Sequence, residues 1–368
     1  MYKELLTSQH GDTFVISLNR PEKLNAFTKT MQDEIIKAFD YTDKTDEIKS
    51  VVITGEGRAY CAGADLVDGP NTFNYAEEGN RLSNDDHSDG GGLVALRIFR
   101  SKKPVIGAIN GDAVGVGATM TLPMDIRLAS EDAKFGFVFA RRGLVPEAAS
   151  SWFLPRLVGI SKALEWTYSG KVFSALEAKQ GGLIRSIHSP DELLEEARSI
   201  ANEIIHNTSS ISVSLTRQML WKMLGADHPM EAHKVDSRFI YELGRGDDAK
   251  EGVNSFLEKR SPNFPNKVSK DMPEHYPWWE ENWELGIPSW YRGKVTKDDF
   301  MSASHGIERM RGMVNFMNSE DWSRRMPQFR EYIRLIDKTR NLDFCKTFPE
   351  MAVLMDDEPS IISIDQFN

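Results

Sequence analysis

Two short stretches decide the fold, Ala59-Tyr60-Cys61-Ala62-Gly63-Ala64-Asp65-Leu66 and Asn110-Gly111-Asp112-Ala113-Val114-Gly115-Val116-Gly117-Ala118. Each follows an apolar, strand-forming run, at positions 50–54 and 104–109 respectively, and each is rich in small residues. Turns of glycine and alanine leave backbone N–H groups approachable. Two N–H groups that point at one oxygen stabilise an oxyanion. The two turns therefore predict a site that holds an enolate formed from a carbonyl compound.

The composition is that of an ordinary globular protein. Of the 368 residues 40% are hydrophobic and 27% charged, and the formal net charge is −10. This charge argues against nucleic acid or an anionic membrane surface as the main partner. The start of the chain lacks the apolar core of a signal peptide, and no run of about 18 apolar residues predicts a membrane span. Two cysteines, Cys61 and Cys345, are typical of a reducing compartment, so we expect a cytoplasmic protein.

Apolar runs and helical patterns alternate along the first two thirds of the chain, which predicts an α/β core with crossover connections. Strands are predicted at 13–18, 51–53 and 125–129, and helices at 31–41, 93–100, 162–182, 192–206, 210–224 and 229–243, with a further helix from Ala118. Thr28 or Thr30 is expected to cap the helix at 31–41. Residues 67–92 are rich in Pro, Gly, Asn, Asp and Ser and predict a long loop over the first turn.

The composition changes after Arg260. Residues 263–290 are rich in proline and tryptophan and predict an extended arm that packs through its aromatic rings. Residues 291–368 show helical spacing between 325 and 345 and end in an acidic tail, so we expect a helical extension there. Its role stays open between a strap over the fold and a surface for another protein.

Several separated motifs give the chain a resemblance to the crotonase superfamily, the enoyl-CoA hydratase/isomerase fold. They are Leu18-Asn19-Arg20-Pro21, Leu24-Asn25-Ala26, the turn Cys61–Leu66, Lys103-Pro104-Val105, Gly115-Val116-Gly117, Ala133-Lys134-Phe135-Gly136, Leu157-Val158-Gly159 and Phe256-Leu257-Glu258-Lys259-Arg260. The resemblance covers about residues 1–265. It implies repeated ββα units over residues 1–205 and a helical trimerisation region over 206–262. It also implies an acyl-CoA thioester as substrate, and a homotrimer or a dimer of trimers.

The resemblance assigns roles in the chemistry by position. The backbone N–H groups of Ala64 and Val116 correspond to the pair that holds the thioester oxygen. Hydratases of the superfamily hold a water between two glutamates, and those positions are Thr119 and Phe139 here. Glu147, which follows a proline, instead resembles the single acid–base residue of the isomerase branch. From the residues alone it also fits a plain acidic residue in the first turn of a helix.

One carboxyl group suffices to move a proton between C2 and C4 of an acyl chain. We therefore expect an enoyl-CoA isomerase of fatty-acid degradation that converts a 3-enoyl-CoA to a 2-enoyl-CoA. We also expect apolar neighbours to raise the pKa of Glu147, the candidates being Phe137, Phe139, Leu144 and Val145. One alternative is an enoyl-CoA hydratase in which Glu147 acts with a water. Another is a protein that binds acyl-CoA or a partner without turnover.

The resemblance also locates the coenzyme A part of the substrate. The corresponding positions are Lys23, Ala26, Ala62, Asp65, Leu66, Phe256 and Lys259. Lysine suits phosphate groups as a positive charge. Asp65 is further expected to anchor the first turn through backbone bonds. Coenzyme A enters as part of the substrate, so no separate cofactor is implied.

Other chemistries have weaker support in the sequence. Cys61 is either a catalytic thiol or a small buried residue, and the lack of a His/Asn partner motif favours the second. The histidines show no metal-ligand spacing, so no metal is expected. The run Gly115–Gly117 is too short for a dinucleotide-binding fingerprint.

Overall fold

The computed structural model describes residues 2–74 and 88–279. The chain divides into two compact units, Met1–Tyr276 and Pro277–Asn368. Of the second unit residues 277–279 are described, and the rings of Trp278 and Trp279 lie edge to face there, with centroids 4.6 Å apart. The predicted extension at 291–368 lies outside the described residues.

The first unit alternates strands and helices. Its strands are β1 Leu5–His10, β2 Thr13–Leu18, β3 Ser50–Gly55, β4 Ala59–Cys61, β5 Val105–Ile109, β6 Asp112–Val114, β7 Ile126–Ser130, β8 Lys134–Gly136, β9 Val172–Ser174 and β10 Ser186–His188. Its α-helices are α1 Lys29–Lys44, α2 Gly90–Phe99, α3 Val116–Thr119, α4 Ser150–Val158, α5 Ile160–Ser169, α6 Ala175–Gln180, α7 Pro190–His206, α8 Ser210–Met223, α9 Pro229–Leu243 and α10 Asp247–Glu258. None of these described helices has the length and apolar character that a membrane span needs.

The strands form two sheets. The larger has six strands in the order β1-β2-β3-β5-β7-β10, and the smaller has four in the order β4-β6-β8-β9. β1 and β2 are antiparallel, and the other pairs of the larger sheet are parallel. β3, β5 and β7 are each followed by a strand of the smaller sheet and then by helical residues. These repeated ββα units confirm the predicted α/β fold.

Alternate side chains of the larger sheet enter two separate cores, as expected for strands that are buried on both faces. One core joins the sheet to α7, and its members include Val15, Val52, Ile106, Leu128, Leu193, Ala197 and Ile200. The other core takes the neighbouring strand positions, such as Ile16 and Ile53, and includes Ile35 and Phe39 of α1. The larger sheet is therefore covered by apolar side chains on both faces.

Three predictions of local structure need correction. The helix expected over 162–182 is interrupted, because Gly170 has a φ of +54° and ends α5 before β9 and α6. The helix expected from Ala118 is only the single turn α3. The loop expected over 67–92 is shorter, because α2 begins at Gly90 with Asp89 as its N-cap. Thr28 caps α1 as predicted and accepts from the N–H of Met31 at 3.0 Å.

The start of the predicted arm follows the surface of the first unit. Val268 is buried, and the N–H of Ser269 donates to Asp46 Oδ1 at 3.0 Å. The ammonium group of Lys102 lies 5.9 Å from the ring centre of Tyr276. Apolar burial, hydrogen bonding and a cation–π contact therefore hold this segment to the fold.

Gly117→Ala is expected to destabilise the fold. A methyl group on Gly117 would lie 2.0 Å from the carbonyl oxygen of Cys61, so the two turns would have to separate. Overpacking of this kind costs about 1–3 kcal/mol, and thermal unfolding should occur at a lower temperature. Gly252→Ala in α10 is the matched control, because a methyl group there meets Phe264 at an ordinary 3.6 Å. Equal unfolding temperatures for the two variants would contradict the close approach.

Candidate active site

The two small-residue turns lie side by side. β4 and β6 pair in parallel, so the turns that follow them start from neighbouring strands. Gly63 and Gly115 have φ values of +109° and +57°, which favour glycine. A methyl group on Gly63 would also lie 3.2 Å from the carbonyl oxygen of Val114. The positive φ therefore explains the glycine at both positions, and the close contact is a second reason at Gly63.

The predicted oxyanion donors belong to these turns. Within the described part of the chain, the N–H groups of Ala64 and Val116 have no acceptor. The backbone around Ala64 is nevertheless fixed, because the N–H of Phe27 donates to Gly63 O at 2.8 Å and that of Asp65 donates to Phe27 O at 3.0 Å. Fixed N–H groups that are free to donate are what oxyanion stabilisation requires.

Glu147 reaches the same place from another part of the chain. A methyl group on Gly91 would lie 1.9 Å from Glu147 Oε2 and 2.9 Å from Val116 Cγ2, so the carboxyl group lies beside Val116. Ala148 and Ala149 follow with φ values of +57° and +52°. This left-handed pair turns the chain from Glu147 into α4, at about 1–2 kcal/mol for each residue. The structure thus brings the predicted acid–base residue next to a predicted donor.

Two side chains hold the Glu147 carboxyl group. The buried hydroxyl of Thr119 donates to Oε1. Asp89 makes a side-chain hydrogen bond with Glu147, and its Oδ1 accepts from the N–H of Ala148 at 3.2 Å. The sequence patterns did not identify Asp89 as a site residue. The available signal was its place immediately before a helical pattern, which is typical of an N-cap.

Burial raises the pKa of Glu147 from 4.5 to about 8. The hydrogen bond from Thr119 lowers this pKa because it stabilises the ionised form, whereas the hydrogen bond and negative charge of Asp89 raise it. The direction of the shift is the predicted one, but its causes differ in two ways. A neighbouring carboxyl group contributes, and Val145, an expected apolar neighbour, is 80% exposed.

Cys61 is buried, which supports its interpretation as a small core residue and not as a catalytic thiol. Its Sγ lies 3.9 Å from Gly63 O, and burial raises the pKa of the thiol to about 12. A thiol with this pKa stays protonated at neutral pH and is a poor nucleophile. In residues 2–74 and 88–279, no three His, Cys, Asp or Glu side chains gather as metal ligands would.

Arg20 joins the Asn-Arg-Pro loop to the first turn. Its guanidinium group pairs with Asp65 Oδ2 at 2.8 Å and donates to Ala26 O at 2.6 Å. Asp65 therefore anchors the turn through its backbone, as expected, and through its side chain as well. The N–H of Ala62 donates to Leu24 O at 3.0 Å. The predicted coenzyme A positions 26, 62 and 65 therefore lie on two loops that these contacts hold together.

The other predicted coenzyme A positions have exposed side chains. Lys23 ends the short 3-10 turn Pro21–Lys23, and Leu66 is 56% exposed. Phe256 and Lys259 lie at the C-terminal end of α10, where Phe256 is 81% exposed. Among the described contacts, no hydrogen bond or ion pair joins Phe256 or Lys259 to the two turns. Their part in binding stays a prediction.

Comparison with known proteins shows the family to which the chain belongs. Residues 9–267 match the family model for enoyl-CoA hydratase/isomerase. The enoyl-CoA hydratase ACTT3 of Alternaria alternata is 41% identical over 261 residues, which cover 71% of this chain and 85% of that protein. The 1,2-epoxyphenylacetyl-CoA isomerase of Escherichia coli is 30% identical and is covered over its full length, with 73% of this chain.

The fold agrees as well as the sequence. The crystal structure of a probable enoyl-CoA hydratase/isomerase from Mycobacterium abscessus superimposes with a TM-score of 0.64 and 29% sequence identity. The superposition covers 72% of this chain and 99% of that one. With a family model that matches well over half of its length, the chain belongs to the enoyl-CoA hydratase/isomerase family of the crotonase superfamily.

Proposed function

We propose that the protein is an enoyl-CoA isomerase that moves the double bond of a 3-enoyl-CoA to give a 2-enoyl-CoA. The observation that carries the proposal is the carboxyl group of Glu147 beside Val116, whose backbone N–H, like that of Ala64, has no acceptor among residues 2–74 and 88–279. Its raised pKa suits a group that must both take and return a proton near neutral pH. Thr119 at the position of one hydratase glutamate also supports a single acid–base residue.

The reaction follows from this arrangement in two proton transfers. The thioester oxygen accepts hydrogen bonds from the N–H groups of Ala64 and Val116, which stabilise the charge that develops on it. The ionised Glu147 removes a proton from C2, so the C2–H bond breaks, a carboxyl O–H bond forms and a dienolate is left. Glu147 then returns the proton to C4, and the double bond comes to lie between C2 and C3.

One observation favours enoyl-CoA hydration as a second candidate function. Asp89 places a second carboxyl group against Glu147, and water addition uses one group as a base and another as an acid. Relatives such as the enoyl-CoA hydratase ACTT3 bear the name of this reaction. The isomerase proposal and the hydratase proposal differ in which enoyl-CoA isomer is turned over faster.

The proposal extends to substrate binding and assembly. Lys23, Ala26, Ala62, Asp65 and Leu66 are proposed to line the coenzyme A part of the substrate, joined by Phe256 and Lys259 of α10. We propose a homotrimer or a dimer of trimers that works in cytoplasmic fatty-acid degradation. Exposed apolar side chains on α9 and α10 support association between copies, and they include Ile240, Tyr241, Val253 and Leu257.

Glu147→Gln is expected to abolish isomerisation, because an amide cannot act as the base. The kcat for a 3-enoyl-CoA should fall by about 10²–10⁴-fold, and KM should change little. Glu131→Gln, at an exposed glutamate, is the matched control. Retained activity in Glu147→Gln would refute the role of Glu147. Faster hydration of a 2-enoyl-CoA by the unaltered protein would select the hydratase, and activity on neither substrate would indicate a binding protein.

Thr119→Val is expected to move the pH dependence of the reaction. The free enzyme needs ionised Glu147, so kcat/KM should rise with pH around its pKa of about 8. Loss of the hydroxyl removes a bond that stabilises the ionised form, so the midpoint should move upward by about one pH unit. Thr119→Ser keeps the hydroxyl and serves as the control. A common midpoint in both variants would show that the hydroxyl does not act on Glu147.

Gly91→Ala is expected to displace the acid–base group. Its methyl group would lie 1.9 Å from Glu147 Oε2, so the carboxyl group must leave its position. A displacement of about 1 Å costs on the order of 100-fold in kcat. The same exchange at Gly252 controls for the added methyl group, and thermal unfolding checks that both variants fold. A Gly91→Ala protein with full activity would place Glu147 elsewhere during the reaction.

A further inference from the structure

Asp89 is an acidic side chain at the site to which the proposed reaction gives no role. It is the N-cap of α2, and its Oδ1 accepts from the N–H of Gly92 at 2.5 Å, which closes the first turn of that helix. The same oxygen accepts from the N–H of Ala148 at 3.2 Å. Because Ala148 follows Glu147 directly, one aspartate oxygen joins the start of α2 to the backbone that carries the acid–base group.

The first turn of α2 has no side chains on the surface that faces Asp89 and Glu147. A methyl group on Gly92 would lie 2.6 Å from Asp89 Oδ2, and one on Gly91 would lie 1.9 Å from Glu147 Oε2. The two glycines therefore make room for both carboxyl groups on one side of the helix. Asp89 and Glu147 are joined there by a side-chain hydrogen bond.

A hydrogen bond between two carboxyl groups requires a proton between them, because two ionised carboxylates repel each other. The N–H groups of Gly92 and Ala148 both donate to Asp89 Oδ1. The pKa of Glu147 is raised to about 8, first by burial, so at neutral pH the proton lies mainly on Glu147. When Glu147 loses this proton, the charge of Asp89 makes it a stronger base than an isolated glutamate.

We propose that Asp89 is a positioning residue that holds the Glu147 carboxyl group beside Val116, because its side chain joins the start of α2 to the backbone of Ala148. This inference rests on the proposed function, since it gives Asp89 its role through Glu147. Asp89 acts on the reaction without contact to the substrate.

Other groups around Glu147 do not bring a negative charge that would raise its pKa. From α3, Thr119 offers a neutral hydroxyl that donates to the carboxyl group and acts in the opposite direction. From β4, Cys61 lies near enough for its thiol and Glu147 to interact, but burial raises the pKa of that thiol to about 12 and keeps it neutral. Asp89 supplies the negative charge that α2 places against Glu147.

Asp89→Asn tests this role, because the amide keeps an oxygen for the two N–H donors but loses the charge and the shared proton. The measurement is an infrared titration of the protonated carboxyl band of Glu147 in the full-length protein, and Glu147→Gln identifies that band by its loss. We expect the midpoint to lie near 8 in the unaltered protein and at least about one pH unit lower in Asp89→Asn. The midpoint of kcat/KM against pH should move in the same direction.

An unchanged midpoint in Asp89→Asn, with an unchanged unfolding temperature, would overturn the proposal and leave Asp89 as a helix cap. If Asp89→Asn folds poorly, Asp89→Ser is judged by the same criterion, because serine caps a helix and its hydroxyl is too short to reach Glu147. The proposed function fails separately, when Glu147→Gln retains isomerase activity. The infrared titration needs no turnover, so the two failures are distinguishable.

Discussion

The site depends on how closely two backbone turns approach each other. Gly117 leaves no space for a side chain beside the carbonyl oxygen of Cys61, and Gly63 adopts a positive φ next to the second turn. In the same turns, the N–H groups of Ala64 and Val116 have no acceptor among the described residues. In the proposed reaction these two N–H groups donate to the thioester oxygen of the substrate.

The acid–base group is set by contacts from distant parts of the chain. Burial raises the pKa of Glu147 most, Thr119 lowers it by favouring the ionised form, and Asp89 raises it further by favouring the protonated form. These opposed contributions leave a carboxyl group that titrates near neutral pH. A shift of about 1 Å in the position of Thr119 or Asp89 relative to Glu147 would change both the pKa of the carboxyl group and the reach of its proton.

Much of this arrangement was predictable from local patterns. The two glycine turns, the alternation of strands and helices and the cap at Thr28 follow from local conformational preferences, which act over a few residues. The break in the helix expected over 162–182 lies at Gly170, whose φ of +54° ends α5, and an isolated glycine in a helical pattern does not by itself indicate such a break. Asp89 was missed for a different reason. Its hydrogen bond to Ala148 spans a separation of 59 residues, which no local pattern records.

The most direct measurement is the crystal structure of the Glu147→Gln protein with a bound 3-enoyl-CoA. The thioester oxygen should lie within about 3 Å of the backbone nitrogens of Ala64 and Val116, with C2 and C4 of the acyl chain facing the side chain at position 147. A thioester oxygen bonded elsewhere, or an acyl chain directed away from position 147, would contradict the proposed use of the two turns.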